Sequence, residues 1–138
     1  MSQLVSFVIP CYKSALTIGG VIGEIAEAMA ALPAYEYEIV LVNDCSPDNT
    51  FEVIRGICET NDKVKGINLA KNFGQHAALM AGFAQAKGDI VICLDDDGQT
   101  PANEVGKLLA GIENGADVIC GVCPICPQKT LLVPQFRQ

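Results

Sequence analysis

The stretch Val91-Ile92-Cys93-Leu94-Asp95-Asp96-Asp97-Gly98-Gln99-Thr100-Pro101 decides the fold. A short apolar run stops abruptly in three adjacent carboxylates. The run reads as a strand buried on both faces, as in a parallel sheet. In an open α/β sheet, ligands gather beyond the carboxyl ends of the strands, which is where these acids fall. Three neighbouring negative charges repel one another, and a divalent metal carrying a phosphorylated ligand is the most economical way to offset them. Side chains alternate along an extended chain, so Asp95 and Asp97 are expected on one side and Asp96 on the other. If the chain stays extended, Gln99 joins Asp97, and the two are hard oxygen donors of the kind Mg²⁺ or Mn²⁺ accepts.

Other readings of the acids exist. Acid clusters in loops are often simply solvated, because charged residues keep to the surface. An EF-hand does not fit, since Thr100 stands where that loop requires glycine and Gly106 where it requires glutamate. The spacing Asp95-x-Asp97-Gly98-x-Thr100 resembles phosphatases of the haloacid dehalogenase type. Their nucleophile follows the first strand, whereas at least three strand-like runs precede this one.

Upstream, strand-like and helix-like segments alternate. Leu4–Ile9 is a β-branched-rich run stopped by Pro10. A helix follows with Ile18, Val21, Ile22, Ile25 and Met29 on one face, ending near Pro33. Glu38–Val42 is a second strand ending at Asn43-Asp44. Asp48 or Asn49 can cap the next helix, whose apolar face is Phe51, Ile54 and Cys58. A weaker strand from Val64 to Leu69 leads into an alanine-rich helix from about Gln75 to Ala86. Beyond the acids, Thr100 is expected as a helix cap with Pro101 at the first helical position. That helix packs Val105, Leu108, Leu109 and Ile112, and a fifth strand spans 117–122. The order implies an α/β fold with a mostly parallel sheet and helices on both faces. A glycine-rich dinucleotide turn is absent after the first strand, where Pro10-Cys11-Tyr12-Lys13-Ser14 stands. A bound nucleotide is therefore expected to be held by side chains and a metal.

At 138 residues the chain is large enough for one domain with a real core. Its net charge of −7 argues against nucleic acid as a partner and against electrostatic adhesion to an anionic membrane. No apolar run approaches the roughly 18 residues needed to span a bilayer, so a cytoplasmic location is expected. Seven cysteines, an odd number, suit reduced thiols better than a disulfide framework. Cys11 and Cys45 follow the first two strands and are expected to be accessible, whereas Cys93 is expected within the apolar interior. Cys120, Cys123 and Cys126 have metal-cluster spacing but no fourth ligand nearby.

With these residues placed, the chain resembles the nucleotide-binding half of family 2 glycosyltransferases of the GT-A fold. Val8-Ile9-Pro10-Cys11-Tyr12-Lys13 resembles that family's opening strand and turn. Val42–Thr50 resembles its Asp-rich second turn, with Cys45 where glycine is common. Asn72–Phe83 is similar to the branch that moves sugars onto polyprenyl or dolichyl phosphate carriers, and Asp95-Asp96-Asp97-Gly98-Gln99 to that branch's Asp-x-Asp-x-Gln metal motif. The resemblance covers about residues 4 to 122. It implies a doubly wound GT-A sheet, here cut after about five strands, with 1–122 as the nucleotide-sugar-binding part and 123–138 as a divergent tail.

The resemblance also implies roles. Pro10 and Tyr12 line the base pocket, and Asp44 binds the nucleoside. Lys71 stands where an arginine often contacts the nucleotide. Asp95 and Asp96 face the nucleotide sugar, with Asp95 the one candidate for a catalytic part, and Asp97 with Gln99 ligates Mg²⁺ or Mn²⁺ on the diphosphate. His76, the single histidine, reads as neutral and structural near a helix N-terminus. The implied reaction takes sugar from a UDP- or GDP-sugar to a polyprenyl phosphate carrier or another cell-envelope glycan acceptor, at the inner face of the membrane in a longer form of the protein. The competing expectations are a non-catalytic nucleotide-binding fragment that forms a homodimer, and a metal-dependent phosphatase.

Overall fold

The computed structural model of the protein describes residues 3–97, 105–113, 118–122 and 130–134. Strand β1 (Gln3–Cys11) leads through α1 (Ile18–Ala30) to β2 (Tyr35–Asn43), then through α2 (Thr50–Thr60) to β3 (Val64–Asn68). Helix α3 (Gln75–Gln85) returns the chain to β4 (Ile90–Cys93), followed by α4 (Val105–Glu113), β5 (Val118–Val122) and β6 (Thr130–Pro134). The first four strands form one parallel sheet in the order β3-β2-β1-β4.

Strand order dictates where the helices lie. A right-handed crossover from β1 to β2 and on to β3 keeps α1 and α2 on one face, and the return from β3 to the far side of β1 puts α3 on the other. The packing follows that rule. Val5, Phe7 and Ile9 of β1 face a core built with Ile18, Val21, Ile22, Ile25 and Met29 of α1, Ile54 of α2, and Val105, Leu108 and Leu109 of α4. Val8, Val40, Val42 and Val91 face Ala78 of α3. The alanine-rich composition of α3 allows close approach. A Cβ on Gly82 would stand 2.3 Å from Val8 Cγ1, so only glycine fits there.

Every apolar position expected to define the α1 face is buried, as are Val105, Leu108 and Leu109 in α4. The fifth strand exists, but β5 does not extend the parallel sheet; it pairs antiparallel with β6, and β6 runs beside β4. The sequence reading left β6 unassigned within the tail. Only positions 123–129 connect β5 to β6, which suits an antiparallel pair and is too short for the helical crossover that parallel pairing needs. Gln99, the expected Thr100 cap with Pro101, and Cys123 and Cys126 lie outside the described residues. Among the described residues no helix is long and apolar enough to cross a membrane.

Candidate functional site

Because β1 is flanked by β2 on one side and β4 on the other, the sheet reverses its strand order between β1 and β4, and the carboxyl edge at such a reversal is where open α/β sheets take their ligands. The loops that follow β1 and β4 meet at this point. The Tyr12 amide donates to Asp96 Oδ2 at 3.0 Å, and the Thr17 hydroxyl donates to the Asp96 carbonyl at 2.7 Å. β4 ends at Cys93 and the chain turns at Asp96 and Asp97, so Asp96 reaches sideways to the β1–α1 loop. Burial pushes the Asp96 carboxyl above the ordinary aspartate range; the Tyr12 amide works against that shift and the charge of Asp97 adds to it.

Three consecutive amides of the β1–α1 loop each donate to a side chain from another loop. Tyr12 uses Asp96, Lys13 uses Ser46 Oγ at 2.8 Å, and Ser14 uses Thr50 Oγ1 at 3.1 Å. Asp48 supports the last two, accepting from the hydroxyls of both Ser46 and Thr50 and from the Thr50 amide at 3.1 Å. Asp48 thus does at the start of α2 what a capping residue does, although Asn49 occupies the cap position and makes no side-chain cap bond. Such ties are needed because Lys13 (φ 53°) and Cys45 (φ 51°) both hold left-handed backbone without being glycine. Sequence reasoning missed Ser46, Thr50 and Thr17. The cluster Ser46-x-Asp48-x-Thr50 is the signal for the first two, since short hydroxyl and carboxylate side chains close turns onto nearby backbone.

The other expected residues fall along the same edge. Asp44, at the end of β2, is buried, and its two oxygens accept the amides of Phe73 and Gly74 at 2.9 and 3.0 Å. Its own amide donates to the Cys11 carbonyl at 3.0 Å, so it joins the β1, β2 and β3 ends. Lys71 is exposed in the loop that Asp44 holds. Tyr12 is 43 % exposed with the Lys13 ammonium 5.6 Å from its ring centre. Pro10 is buried within β1, opposite Val42. His76 is exposed in the first turn of α3. One of the two edge thiols departs from expectation. Cys45 is exposed, but Cys11 is fully buried, because β1 alternation puts it on the core face with Phe7 and Ile9. Burial, with Asp96 nearby, pushes the Cys11 thiol up to about 12. The Ser14 hydroxyl, also buried, makes no hydrogen bond of its own among the described residues, although it stands close enough to ease the pKa values of Cys11 and Asp96 downward.

Among the described residues no three His, Cys, Asp or Glu side chains gather into a ready-made metal cluster. A cation that arrives on a diphosphate does not need one, because Mg²⁺ in such sites takes one or two protein carboxylates and completes its shell with phosphate oxygens and water. Of the acids here, Asp95 is half-buried and Asp97 exposed.

Residues 6–138 match the family model for glycosyl transferase family 2. The chain belongs to that family. It is 42 % identical over 118 residues to the undecaprenyl-phosphate 4-deoxy-4-formamido-L-arabinose transferase of Pseudomonas fluorescens, covering 85 % of this chain and 34 % of that protein. The transferase of the same name from Aeromonas hydrophila is 40 % identical over 118 residues, covering 85 % of this chain and 36 % of its own length. The chain therefore spans about a third of the length of the curated relatives it matches. Among solved structures it is similar to the mannosyltransferase PcManGT from Pyrobaculum calidifontis in complex with GDP-Man and Mn²⁺, with a TM-score of 0.62 at 25 % identity over 76 % of this chain and 32 % of that one. TarS from S. aureus in complex with UDP gives a TM-score of 0.63 at 26 % identity, over 86 % of this chain and 34 % of that one. The GT-A fold expected of this family 2 chain is the one observed.

Proposed function

We propose that these residues bind the donor of a transferase that moves a sugar from a nucleoside diphosphate to a polyprenyl phosphate. The observation that carries this reading is the meeting of Tyr12 with the Asp95–Asp97 acids at the reversal point of the sheet. That meeting puts an exposed aromatic face and hard carboxylates on one sheet edge, as a ligand with a base at one end and a diphosphate at the other requires. The similarity to undecaprenyl-phosphate transferases and to proteins solved with GDP-Man or UDP supports the choice of ligand and acceptor class.

In this reading Tyr12, above buried Pro10, offers its ring to the base. Asp44 holds the Phe73–Gly74 turn against the nucleoside and so sets the position of Lys71, whose charge faces the nucleotide. Asp95 faces the sugar, and Asp97 with Gln99 ligates Mg²⁺ or Mn²⁺. A metal bound there supplies Lewis-acid stabilisation of the negative charge that grows on the leaving diphosphate. The acceptor phosphate is already largely ionised at neutral pH, its second pKa lying near about 6, so demand for a strong general base is modest. That suits an edge whose one histidine lies exposed at the start of α3. Calorimetric titration of UDP- and GDP-sugars with and without Mn²⁺ tests the reading. Metal-dependent binding of one base class supports it, and no binding of either with metal present overturns it.

A further inference from the structure

We propose that Asp96 is a positioning residue that couples metal binding at its neighbours to nucleoside binding at Tyr12. The inference rests on the donor-site reading above and goes beyond it, because it assigns Asp96 neither to the metal nor to the sugar. Of the three loop amides that need an outside acceptor, those of Lys13 and Ser14 use Ser46 and Thr50, which are both braced by Asp48. Only the Tyr12 amide depends on the acid loop. The far end of the same turn depends on it as well, through Thr17 and the Asp96 carbonyl. One residue thus grips the β1–α1 turn at Tyr12 and at Thr17.

The grip transmits restraint. Asp95 and Asp97 flank Asp96 directly, so a cation held by either fixes the peptide units on both sides of it. Fixing those units fixes the carbonyl that Thr17 bonds and the carboxylate that the Tyr12 amide bonds. The left-handed Lys13 makes this matter, because a turn in a sparsely populated conformation persists only while its surroundings hold it. A loop ordered by metal presents Tyr12 already placed, and a nucleoside then binds without the cost of ordering it. By reciprocity, a nucleoside on Tyr12 tightens the metal by the same factor.

The test uses the full chain, titrated first with Mn²⁺ alone to establish saturation, and ligands without phosphate, so that no direct metal–ligand contact enters. Failure of Mn²⁺ to bind the chain without a diphosphate overturns the coupling. Calorimetry gives the affinity for uridine and for guanosine with saturating Mn²⁺ and with chelator. In the native protein the metal is expected to tighten the bound nucleoside about fivefold, the lower end of ordinary couplings. Asp96→Ala removes the contact to Tyr12 but keeps the carbonyl that Thr17 bonds, and should lower that ratio. Asp96→Asn, whose amide oxygen still accepts the Tyr12 amide, should keep it, which separates positioning from through-space charge. Thr17→Val removes the second contact without touching the acids and should lower the ratio whatever the stability of the alanine variant. A native ratio of one overturns the coupling, and so does an undiminished ratio in Asp96→Ala or Thr17→Val. If neither nucleoside nor any UDP- or GDP-sugar binds, the donor-site reading falls and takes the coupling with it. If donors bind and only the ratios fail, the coupling alone is wrong.

Discussion

The Lys65 ammonium lies 2.8 Å from Glu38 Oε2, across the β2–β3 pair on the face covered by α3. Glu38 is a buried carboxylate, and its other oxygen accepts from the Ser6 hydroxyl and the Lys87 amide, both at 2.7 Å. The Gly88 amide closes the cluster on Ser6 Oγ at 2.8 Å. This is how the connection from α3 to β4 is fastened to the start of β1 and β2. It is structural and lies at the opposite end of the strands from the candidate site.

Burial by itself would raise the Glu38 pKa, but Lys65, the Lys87 amide and Ser6 together outweigh it and hold the group below the ordinary glutamate value of 4.5. A depressed folded pKa means stability that is fully present above the unfolded value and lost as pH falls through the folded one. Urea midpoints are expected to fall between about pH 5 and 3. In Glu38→Gln the fall should be visibly shallower over that range. Parallel curves for the two proteins would remove Glu38 from the explanation.

Asp97→Ala is expected to abolish the Mn²⁺-dependent part of donor binding and leave the fold intact, because the side chain is exposed beyond the strand end. Circular dichroism checks the fold and calorimetry with a UDP- or GDP-sugar checks the binding. Equal metal-dependent affinity in variant and native protein sinks the assignment.

Asp44→Asn places an amide where both carboxylate oxygens now accept backbone N–H groups. One of its two ends must then present a donor to a donor. The loop loses a charge-assisted bond, and nucleoside affinity should fall by about 1–3 kcal/mol with chelator present. A loss seen only when metal is added would instead place Asp44 with the metal.

Two thiols at the same sheet edge should react very differently. Cys45 is exposed and should be alkylated readily, whereas buried Cys11, its pKa pushed up to about 12, should resist until the protein unfolds. Cys45→Gly should stabilise the protein by about 0.5–1 kcal/mol, since glycine accepts left-handed backbone without strain. Mass spectrometry of labelled protein and urea unfolding give the two readouts. Fast labelling of Cys11, or a glycine variant less stable than the native protein, would contradict this account.

Much of the fold was legible because burial imposes periodicity. Ile18, Val21, Ile22, Ile25 and Met29 mark the α1 face, and the apolar runs ending at Asn43 and Cys93 mark strands whose carboxyl ends carry the candidate site. The same periodicity, applied to β1, puts Cys11 on the side of Phe7 and Ile9. The expectation of an accessible thiol erred by treating it as part of the loop. What Asp96 reaches was not legible, because the strand ends at Cys93 and its partner lies on the loop after β1. The ties from Ser46, Thr50 and Thr17 depend on which loops the sheet order brings together, and local sequence spacing does not encode that. The pairing of β5 with β6 was hidden for a similar reason, since an antiparallel partner is chosen by connection length and by the space beside β4.

Tyr12 and Asp96 lie 84 positions apart, and the bond between them spans most of the four-stranded sheet's sequence. The units from β1 through β3 can assemble from contacts nearer in sequence, but the β1 and β4 loop ends meet only once α3 has carried the chain back across β1. Closing so long a loop is among the slower steps available to a folding chain. During synthesis, which proceeds from the N-terminus, the β1–α1 turn with its strained Lys13 must wait for the acid loop to emerge. The candidate site at this edge is therefore assembled late, and a chain in which Tyr12 meets Asp96 has completed its parallel sheet.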